Sequence, residues 1–204
     1  DTHGNFRRFQ PEYFPEQAEM TKDDYMIVCG DFGFVWNGDK SDDAQLGKLE
    51  TLPFTILFVD GNHENFDALN EYPIEQWRGG TVHRIRPHVL HLMRGQVYDI
   101  PVCTSGAEKS ISVFTMGGAF SVDRRYRREG ESWWPREMPS QEEYTEALAN
   151  LKRHHNRVDY LLTHTGRERS LDIFFLGRRN PNEMELNHFL EQLHESISFT
   201  HHYF

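Results

Sequence analysis

Two apolar runs near the start of the chain predict strands that are buried on both faces. Residues 25–29 and 54–59 are almost continuously apolar, which is typical of interior strands in a parallel sheet. The segment between them, residues 41–52, is polar except for leucines at helical spacing, and it predicts a crossover helix. Strand, helix and strand in this order form a right-handed βαβ unit.

The middle of the chain predicts shorter strands that mix apolar and polar residues. Turn residues separate them, namely Pro87, Gly95 and the pair Ser105-Gly106. Strands joined by such short turns are expected to form an antiparallel meander. The predicted strands are residues 82–86, 89–93, 96–100 and 112–116.

The last third of the chain predicts two amphipathic helices around one more buried strand. Ser140 and Glu143 have the spacing of a capping box and begin a helix over residues 140–155. Residues 158–163 predict a strand, and residues 182–195 predict the final helix. The side chains expected to be buried are Tyr144, Ala147, Leu148 and Leu151 in the first helix and Leu186, Phe189, Leu190 and Leu193 in the second.

Together these elements predict an α/β (α+β) fold with two mixed sheets packed face to face and helices outside. With 204 residues the chain is long enough to bury a sizeable core. We expect residues 1–204 to form a single domain.

Composition and charge narrow the classes of function. Hydrophobic residues make up 37% of the chain and charged residues 26%, as in ordinary globular proteins. The 32 acidic and 22 basic residues give a net charge of −10, which disfavours nucleic acid as a partner. A phosphate substrate stays compatible with this charge, because bound metal ions would supply positive charge locally.

The apolar runs are short, and cysteines are few. No run approaches the ~18 consecutive apolar residues of a membrane-spanning helix. We therefore expect a cytoplasmic protein without a membrane partner, and a leader segment before residue 1 stays open. Cys29 and Cys103 lie in or beside apolar runs without forming a C-x-x-C pair, so we expect them to be reduced and buried.

Four short segments carry residues that bind metal ions. The last three of them follow apolar runs, and open α/β sheets bind ligands beyond the carboxyl ends of their strands, so the segments are expected to converge. Their mixture of carboxylate, imidazole and amide groups suits Mn, Fe or Zn, whereas Ca and Mg prefer oxygen alone. The prediction is a hydrolase with two divalent metal ions. The segments are Asp1-Thr2-His3-Gly4, Gly30-Asp31, Gly61-Asn62-His63-Glu64 and Thr163-His164.

The order and spelling of these segments closely resemble the calcineurin-like metallophosphoesterase superfamily. Its signature is D-x-H, then G-D, then G-N-H-[ED], then a lone His, then G-H-x-H. The first four blocks occur here in that order, and the fifth is absent from the 204 residues. The resemblance implies a four-layer αββα sandwich and a pair of divalent metal ions.

The resemblance also implies a role for each ligand. Asp31 bridges the two ions, and a carboxylate suits two cations about 3.5–4 Å apart. The first ion is also held by Asp1 and His3, which alternate along the chain, so that an extended segment would direct both to one side. The second ion is also held by Asn62 and His164. A water or hydroxide between the ions would then attack a phosphate ester.

His63 is implied to be a proton donor to the leaving oxygen rather than a ligand. Imidazole suits this task because its pKa lies near neutrality. Glu64 has two interpretations at this point. It either accepts a hydrogen bond that orients an imidazole, or caps the short helix expected at residues 66–69.

The basic run at residues 124–128 stands out in an acidic chain. Arg124 and Arg125 are substrate candidates, because a guanidinium binds phosphate through two parallel hydrogen bonds. A solvated loop balanced by Glu129 and Glu131 explains the same run equally well.

The other histidines lack ligand spacing. His201 and His202 are assigned to a final strand, where consecutive side chains face opposite ways. The remaining ones are expected to be structural or exposed: His83, His88, His91, His154, His155, His188 and His194.

Departures from the better-known branches of the superfamily narrow the activity. The second block lacks the G-D-x-V-D-R-G extension of protein serine/threonine phosphatases, and Val59-Asp60 replaces the Arg before G-N-H-E. We expect hydrolysis of a small phosphomonoester or phosphodiester. One alternative is a metal-poor domain that serves as a protein-interaction scaffold, and a second is a nuclease, which the acidic charge disfavours.

Both ends of the sequence fall inside the resemblance. Residue 1 is already the first ligand, and residues 197–204 look like the strand that leads into G-H-x-H. We therefore expect an internal piece of a longer protein, lacking the first strand and the last block. The sequence beyond Phe204 would test this expectation and the scaffold alternative together. The oligomeric state stays open.

Overall fold

The computed structural model describes residues 1–104, 107–178 and 180–204, without the side chains of residues 103, 104, 107 and 108. The predicted turn at Ser105-Gly106 and the burial predicted for Cys103 lie outside this description. The strands within it are β1 (Tyr25–Cys29), β2 (Thr55–Val59), β3 (Ile74–Trp77), β4 (Gly80–Arg86), β5 (Val89–Leu92), β6 (Val97–Thr104), β7 (Ala107–Met116), β8 (Tyr160–Thr163) and β9 (His201–Tyr203). The α-helices are α1 (Lys40–Glu50), α2 (Phe66–Asn70), α3 (Gln141–Arg153), α4 (Glu168–Phe174) and α5 (Met184–Ser196).

The strands form two mixed sheets. The first sheet has the order β1-β2-β5-β4-β3, with β1, β2 and β5 parallel and the β3-β4-β5 pairs antiparallel. The second sheet has the order β6-β7-β8-β9, with β6 and β7 antiparallel and β7, β8 and β9 parallel. The parallel half of each sheet ends in loops that carry the predicted ligands.

Strand β2 shows why the apolar runs are continuous. Every residue of β2 is buried, and β2 pairs with β1 on one side and β5 on the other. Leu57 and Val59 pack into the core between the sheets, whereas Ile56 and Phe58 pack into a core on the opposite face. A strand covered on both faces needs apolar side chains at odd and even positions alike.

Three apolar clusters define four layers. The cluster between the sheets joins Leu57 and Leu90 of the first sheet to Tyr98 and Leu162 of the second. The two outer clusters contain α1 on the first sheet and α3 with α5 on the second. The predicted αββα sandwich with face-to-face sheets is therefore confirmed. The single-domain organisation of the whole chain stays a prediction.

Helix α3 confirms its predicted capping box and three of its four predicted core residues, Tyr144, Ala147 and Leu151. Ser140 Oγ accepts from the amide of Glu143, and the Glu143 carboxylate accepts from the amide of Ser140. Leu148, expected in the core, is 53% exposed. Asn150 is buried instead, because its side-chain amide donates to the carbonyl of Gly95 at 2.6 Å.

The predicted meander is wrong as a single unit. Strands β4 and β5 complete the first sheet, whereas β6 and β7 begin the second, so the chain crosses between sheets near Gly95. Strand β3 was not predicted, because this edge strand leaves Ile74 61% exposed and shows no buried face. Helix α4 was missed for a similar reason, since none of its residues is buried. No helix in the described part of the chain is long and apolar enough to cross a membrane.

Two of the histidines expected to be structural form a buried chain. His83 Nδ1 lies 2.9 Å from His91 Nδ1, and His91 Nε2 lies 3.1 Å from Asp60 Oδ1. Asp60 is also paired with the buried guanidinium of Arg94. The ion pair with Arg94 and the hydrogen bond from His91 outweigh burial and hold the pKa of Asp60 well below its ordinary range. Burial and the neighbouring His91 lower the pKa of His83 to about 4.

His202 in β9 is a second buried imidazole, and His201 faces the other way. His202 Nε2 donates to Thr163 Oγ1 at 2.8 Å, and His202 Nδ1 pairs with His194. Burial and the nearby His194 lower the pKa of His202 to about 3. His201 is exposed and stacks on Tyr160. The assignment of both histidines to a final strand is confirmed.

We expect the free energy of unfolding to fall as the pH is lowered from about 6.5 to about 4. His83 and His202 stay neutral in the folded chain, whereas the unfolded chain binds protons on both below pH 6.5. Each group steepens this loss by up to about 1.4 kcal/mol per pH unit. Denaturant titrations of metal-free protein across this range should show a shallower slope for His83→Gln than for the wild type. His155→Gln, on the exposed surface, is the matched control, and an equal slope in all three proteins contradicts the assignment.

Candidate metal centre

The first ligand segment pairs through its backbone with the loop after β1. The amides of Thr2 and His3 both donate to the carbonyl of Asp31, at 3.0 and 2.8 Å, and Gly4 donates to Phe32. His3 and Asp31 have φ values of 48° and 46°. The expectation of an extended segment at residues 1–3 is therefore wrong. Left-handed backbone at two non-glycine residues is costly and typical of functional sites, and here it turns both side chains into one space.

Asp31 presents its two carboxylate oxygens to two different histidines. Oδ2 lies 3.6 Å from His3 Nε2, and Oδ1 lies 3.4 Å from His164 Nε2. Asp1 contacts the same histidines, at 3.9 Å from His3 and 3.7 Å from His164. The Asp31 side chain is almost fully buried, whereas Asp1 and His3 are about half exposed. The carboxylate of Asp31 thus lies between two sets of donor atoms, as a bridging ligand does.

His164 is oriented so that its Nε2 faces other electron donors. Its Nδ1 lies 3.0 Å from the carbonyl of Cys29 and donates to it, which leaves the Nε2 lone pair directed at the site. Nε2 lies 3.1 Å from Asn62 Oδ1 and 3.4 Å from Asp31 Oδ1. Three electron-rich atoms at these distances repel one another unless a proton or a cation lies among them.

Asn62 is held with its oxygen toward the site. Its side-chain nitrogen donates to Ser121 Oγ at 2.9 Å, so Oδ1 is the atom that faces His164. Ser121 is itself buried, and its amide donates to the buried Glu137 carboxylate. The sequence offered no indication of Ser121, because its partner lies 59 positions away.

Two glycines of the motifs permit these close approaches. A Cβ atom at Gly61 would overlap the carboxylate and amide of Asp31, and a Cβ atom at Gly30 would overlap the imidazole of His164. Gly30 also has φ of 103°, which side-chain-bearing residues rarely adopt. Packing therefore requires glycine before Asp31 and before Asn62, and at Gly30 the backbone conformation requires it as well.

His63 lies between the first metal ligands and an arginine. Its ring centroid is 5.4 Å from that of His3, and its amide donates to Asp31 Oδ1 at 2.8 Å. Ligand atoms of His3, Asp31 and His63 lie within 4.8 Å of one another. Arg127 Nη2 lies 3.0 Å from Nε2 of His63. Burial lowers the pKa of His63 and Arg127 lowers it further, while Asp31 raises it.

Glu64 supports the loop that carries Asp31. Its carboxylate accepts from the amides of Phe32 at 2.7 Å and Gly33 at 3.3 Å. Neither interpretation made from the sequence describes this arrangement, since the cap of α2 is Asn65 and the described partners of Glu64 are backbone amides. Glu64 is 2% exposed, and burial raises its pKa to about 8 with the Asp31 carboxylate nearby.

The basic run places Arg127 at the site, not the two arginines expected there. Arg124 pairs with the buried Glu137 at 2.7 Å, and Arg125 lies over the ring of Tyr126. Arg127 reaches His63 and is fixed by Asp123 at 2.8 Å. The run folds as a 3₁₀ turn over Arg124–Tyr126, so neighbouring arginine side chains point in different directions. The sequence alone does not indicate which of them faces the site.

A family model described as calcineurin-like phosphoesterase matches residues 1–193 of the chain. The chain belongs to this family. The same comparisons found no matching curated protein and no matching solved structure. Members of the family typically bind divalent metal ions and hydrolyse phosphate esters.

The donor atoms of this calcineurin-like phosphoesterase fit such ions. The convergence of Asp1, His3, Asp31, Asn62 and His164 combines two carboxylates, two imidazoles and one amide. Metal–nitrogen and metal–oxygen bonds of about 2.0–2.2 Å separate adjacent ligand atoms by roughly 3–3.5 Å. The spacings around His164 Nε2 lie in this range, so a cation accounts for the clustered lone pairs.

We expect Gly61→Ala to weaken metal binding, because its Cβ would displace the Asp31 carboxylate. Disturbing the orientation of a ligand typically costs about 10–100-fold in metal affinity. The matched control is Gly47→Ala, since a Cβ at Gly47 in α1 meets nothing within 4 Å. Metal titrations monitored by calorimetry, with melting temperatures recorded in parallel, separate the two. Equal metal affinity in both variants contradicts the close approach at Asp31.

Proposed function

We propose that the protein is a metal-dependent phosphoesterase acting on small phosphomonoesters or phosphodiesters. The observation that supports this most directly is the placement of the two Asp31 oxygens against His3 and His164. A carboxylate shared in this way suits a pair of cations, and a cation pair suits the charge of a phosphate. The family match supports phosphoester hydrolysis in general.

In this proposal three candidate ligands would hold each ion. Asp1, His3 and Asp31 would hold one ion, and Asp31, Asn62 and His164 would hold the other. The mixed donor set favours Mn, Fe or Zn. When bound, such ions neutralise phosphate charge and lower the pKa of water, so that hydroxide is available at neutral pH.

The threonine hydroxyl groups beside the candidate ligands donate hydrogen bonds to backbone carbonyls and are therefore poor nucleophiles. Thr2 Oγ1 donates to the carbonyl of Phe32 at 2.7 Å, and Thr163 Oγ1 donates to Thr165 at 2.6 Å. A hydroxyl nucleophile needs a base positioned to take its proton. Both protons are instead directed at backbone carbonyls, which supports direct attack by water.

His63 and Arg127 are suited to the leaving-group side. Arg127 donates only, so its contact with the ring favours neutral His63 while no phosphate is present. A phosphate dianion would attract the guanidinium and favour protonated His63, which is the form that can protonate the leaving oxygen. We therefore assign phosphate binding to Arg127, in place of Arg124 and Arg125.

The two alternatives receive less support. A scaffold has no need for convergent metal-binding groups, so the closeness of the five candidate ligands around the buried Asp31 carboxylate favours the phosphoesterase proposal. A nuclease needs a basic footprint, which the net charge of −10 does not offer.

We expect Asp31→Asn and His63→Gln to separate metal binding from turnover. Asp31→Asn removes the bridging charge, so the bound metal should fall from two ions per chain. His63→Gln should keep both ions and lower kcat on alkyl phosphates by about 10²–10⁴-fold. The loss should shrink on a nitrophenyl ester, whose leaving group needs no proton.

Metal analysis of the purified variants, with kcat on both esters, makes this comparison. Tyr13→Phe, at an exposed side chain outside the ligand segments, is the control. Loss of metal from His63→Gln, or an unchanged rate on alkyl phosphates, contradicts the assigned roles. Absence of metal-dependent hydrolysis from the wild type on every ester overturns the proposed function.

Direct attack by water predicts inversion of configuration at phosphorus. One in-line displacement inverts the centre, whereas a covalent phosphoenzyme would retain it through two displacements. A chiral thiophosphate ester hydrolysed in isotopically labelled water reports the outcome by ³¹P NMR. Net retention rules out the mechanism that the engaged threonines support.

A further inference from the structure

A cavity opens beside the candidate metal centre, and three residues of that site also line the cavity. Its volume is about 490 Å³, and Asn62, His63 and His164 form the side toward the metal ligands. Pockets that hold small organic molecules measure roughly 300–1,000 Å³. The cavity therefore has room for the organic part of an ester whose phosphate lies at the metal ligands.

One wall of this cavity is apolar and partly open to solvent. Phe120 and Val122 come from the loop after β7, and Leu171 and Phe175 come from α4 and the turn that ends it. Val122 is 79% exposed and Phe175 is 58% exposed. Large apolar side chains grouped at a cavity mouth are typical of binding surfaces.

The guanidinium of Arg124 packs against the ring of Phe120. The Arg124 guanidinium lies 3.9 Å from the ring centroid of Phe120 and 4.3 Å from that of Trp133, and it is anchored by the buried Glu137. One face of the Phe120 ring is thus covered, and the rest of the ring lines the cavity. A fixed aromatic surface binds a flat ring with little loss of conformational freedom.

Arg178 adds a cation to the same cavity. Its guanidinium makes no hydrogen bond or ion pair with any residue that the structure describes, and the residue is exposed at the cavity rim. The two acidic residues of the cavity have other partners, since Asp123 pairs with Arg127 through Oδ2 and Glu183 accepts from Thr165, while Asp123 Oδ1 has no hydrogen-bond partner among the described residues. Arg178 is therefore available to an anionic group of a ligand.

We propose that this cavity is the leaving-group subsite and that it selects phosphate esters whose leaving alcohol carries an aromatic ring. The ring packs against Phe120 and Phe175, and an anionic substituent on the ring pairs with Arg178. The inference rests on the proposed phosphoesterase function and names its substrate class. It assigns Arg124 a positioning role behind Phe120 instead of contact with phosphate.

The test compares esters that differ in the ring but not in the chemistry of the leaving oxygen. Ethyl phosphate and 2-phenylethyl phosphate are both alkyl esters, so a higher kcat/KM for the second reports binding of the ring. We expect a preference of about tenfold or more. A third ester, 2-(4-carboxyphenyl)ethyl phosphate, should gain a further severalfold from its carboxylate.

Two variants and one matched control locate the effect. Phe175→Ala should reduce the preference for 2-phenylethyl phosphate over ethyl phosphate about three- to tenfold. Arg178→Ala should abolish only the gain from the carboxylate. Phe174→Ala is the control, because Phe174 is the adjacent exposed phenylalanine, lies outside the cavity lining and contacts Phe204. The control should keep both preferences.

A binding measurement distinguishes failure of this inference from failure of the proposed function. Calorimetry compares 2-phenylethylphosphonate with ethylphosphonate, neither of which is hydrolysed. Tighter binding of the phenyl compound without hydrolysis of any ester supports the subsite and overturns the phosphoesterase activity. If ethyl phosphate and 2-phenylethyl phosphate are hydrolysed with equal kcat/KM, and the two phosphonates bind equally well, the subsite alone is overturned. Equal loss of preference in Phe174→Ala and Phe175→Ala also overturns it.

Discussion

The candidate metal centre depends on the close approach of several backbone segments at Asp31. Residues 2–4 donate amide hydrogens to the loop at 31–32, and Gly61 lies against the Asp31 carboxylate from another loop. These contacts leave no room for a side chain at Gly61 and force left-handed backbone at Asp31 and His3. The backbone contacts around this loop hold the left-handed conformation in place, so the fold itself sets the positions of the candidate ligands.

Buried carboxylates serve two different purposes around this point. Asp60 directly follows β2, and the ion pair with Arg94 compensates its buried charge. Glu64 and Asp31 have no Lys or Arg partner among the described residues, and the raised pKa of Glu64 reflects the cost of placing negative charge there. Divalent ions would lower that cost, which links metal binding to the stability of the same loops.

The active side of the molecule combines a rigid floor with a more exposed rim. The floor consists of strand ends whose ligands are fixed by backbone carbonyls and amides, as at His164 and Cys29. The rim consists of the loop at residues 119–127, which carries Phe120 and Arg127, and of α4 with the turn that ends it at Phe175. In the proposals made above, the chemistry would take place at the strand ends and the substrate would be selected by the loops, since binding residues often lie on loops that a rigid scaffold positions.

The sequence by itself determined the family, the strands β2 and β8 and the donor groups that could bind metal ions. These follow from local patterns, because a strand buried on both faces must be continuously apolar and a ligand needs a specific donor atom. Strand β1 was also expected to be buried on both faces, and this expectation is wrong, because β1 lies at the edge of its sheet and only Val28 in it is fully buried. Only the tertiary structure decided that β4 to β7 divide between two sheets, that Glu64 supports the Asp31 loop, and that Arg127 reaches His63. Those outcomes depend on contacts between segments far apart in the chain, and no local spacing encodes the direction of a side chain on a 3₁₀ turn.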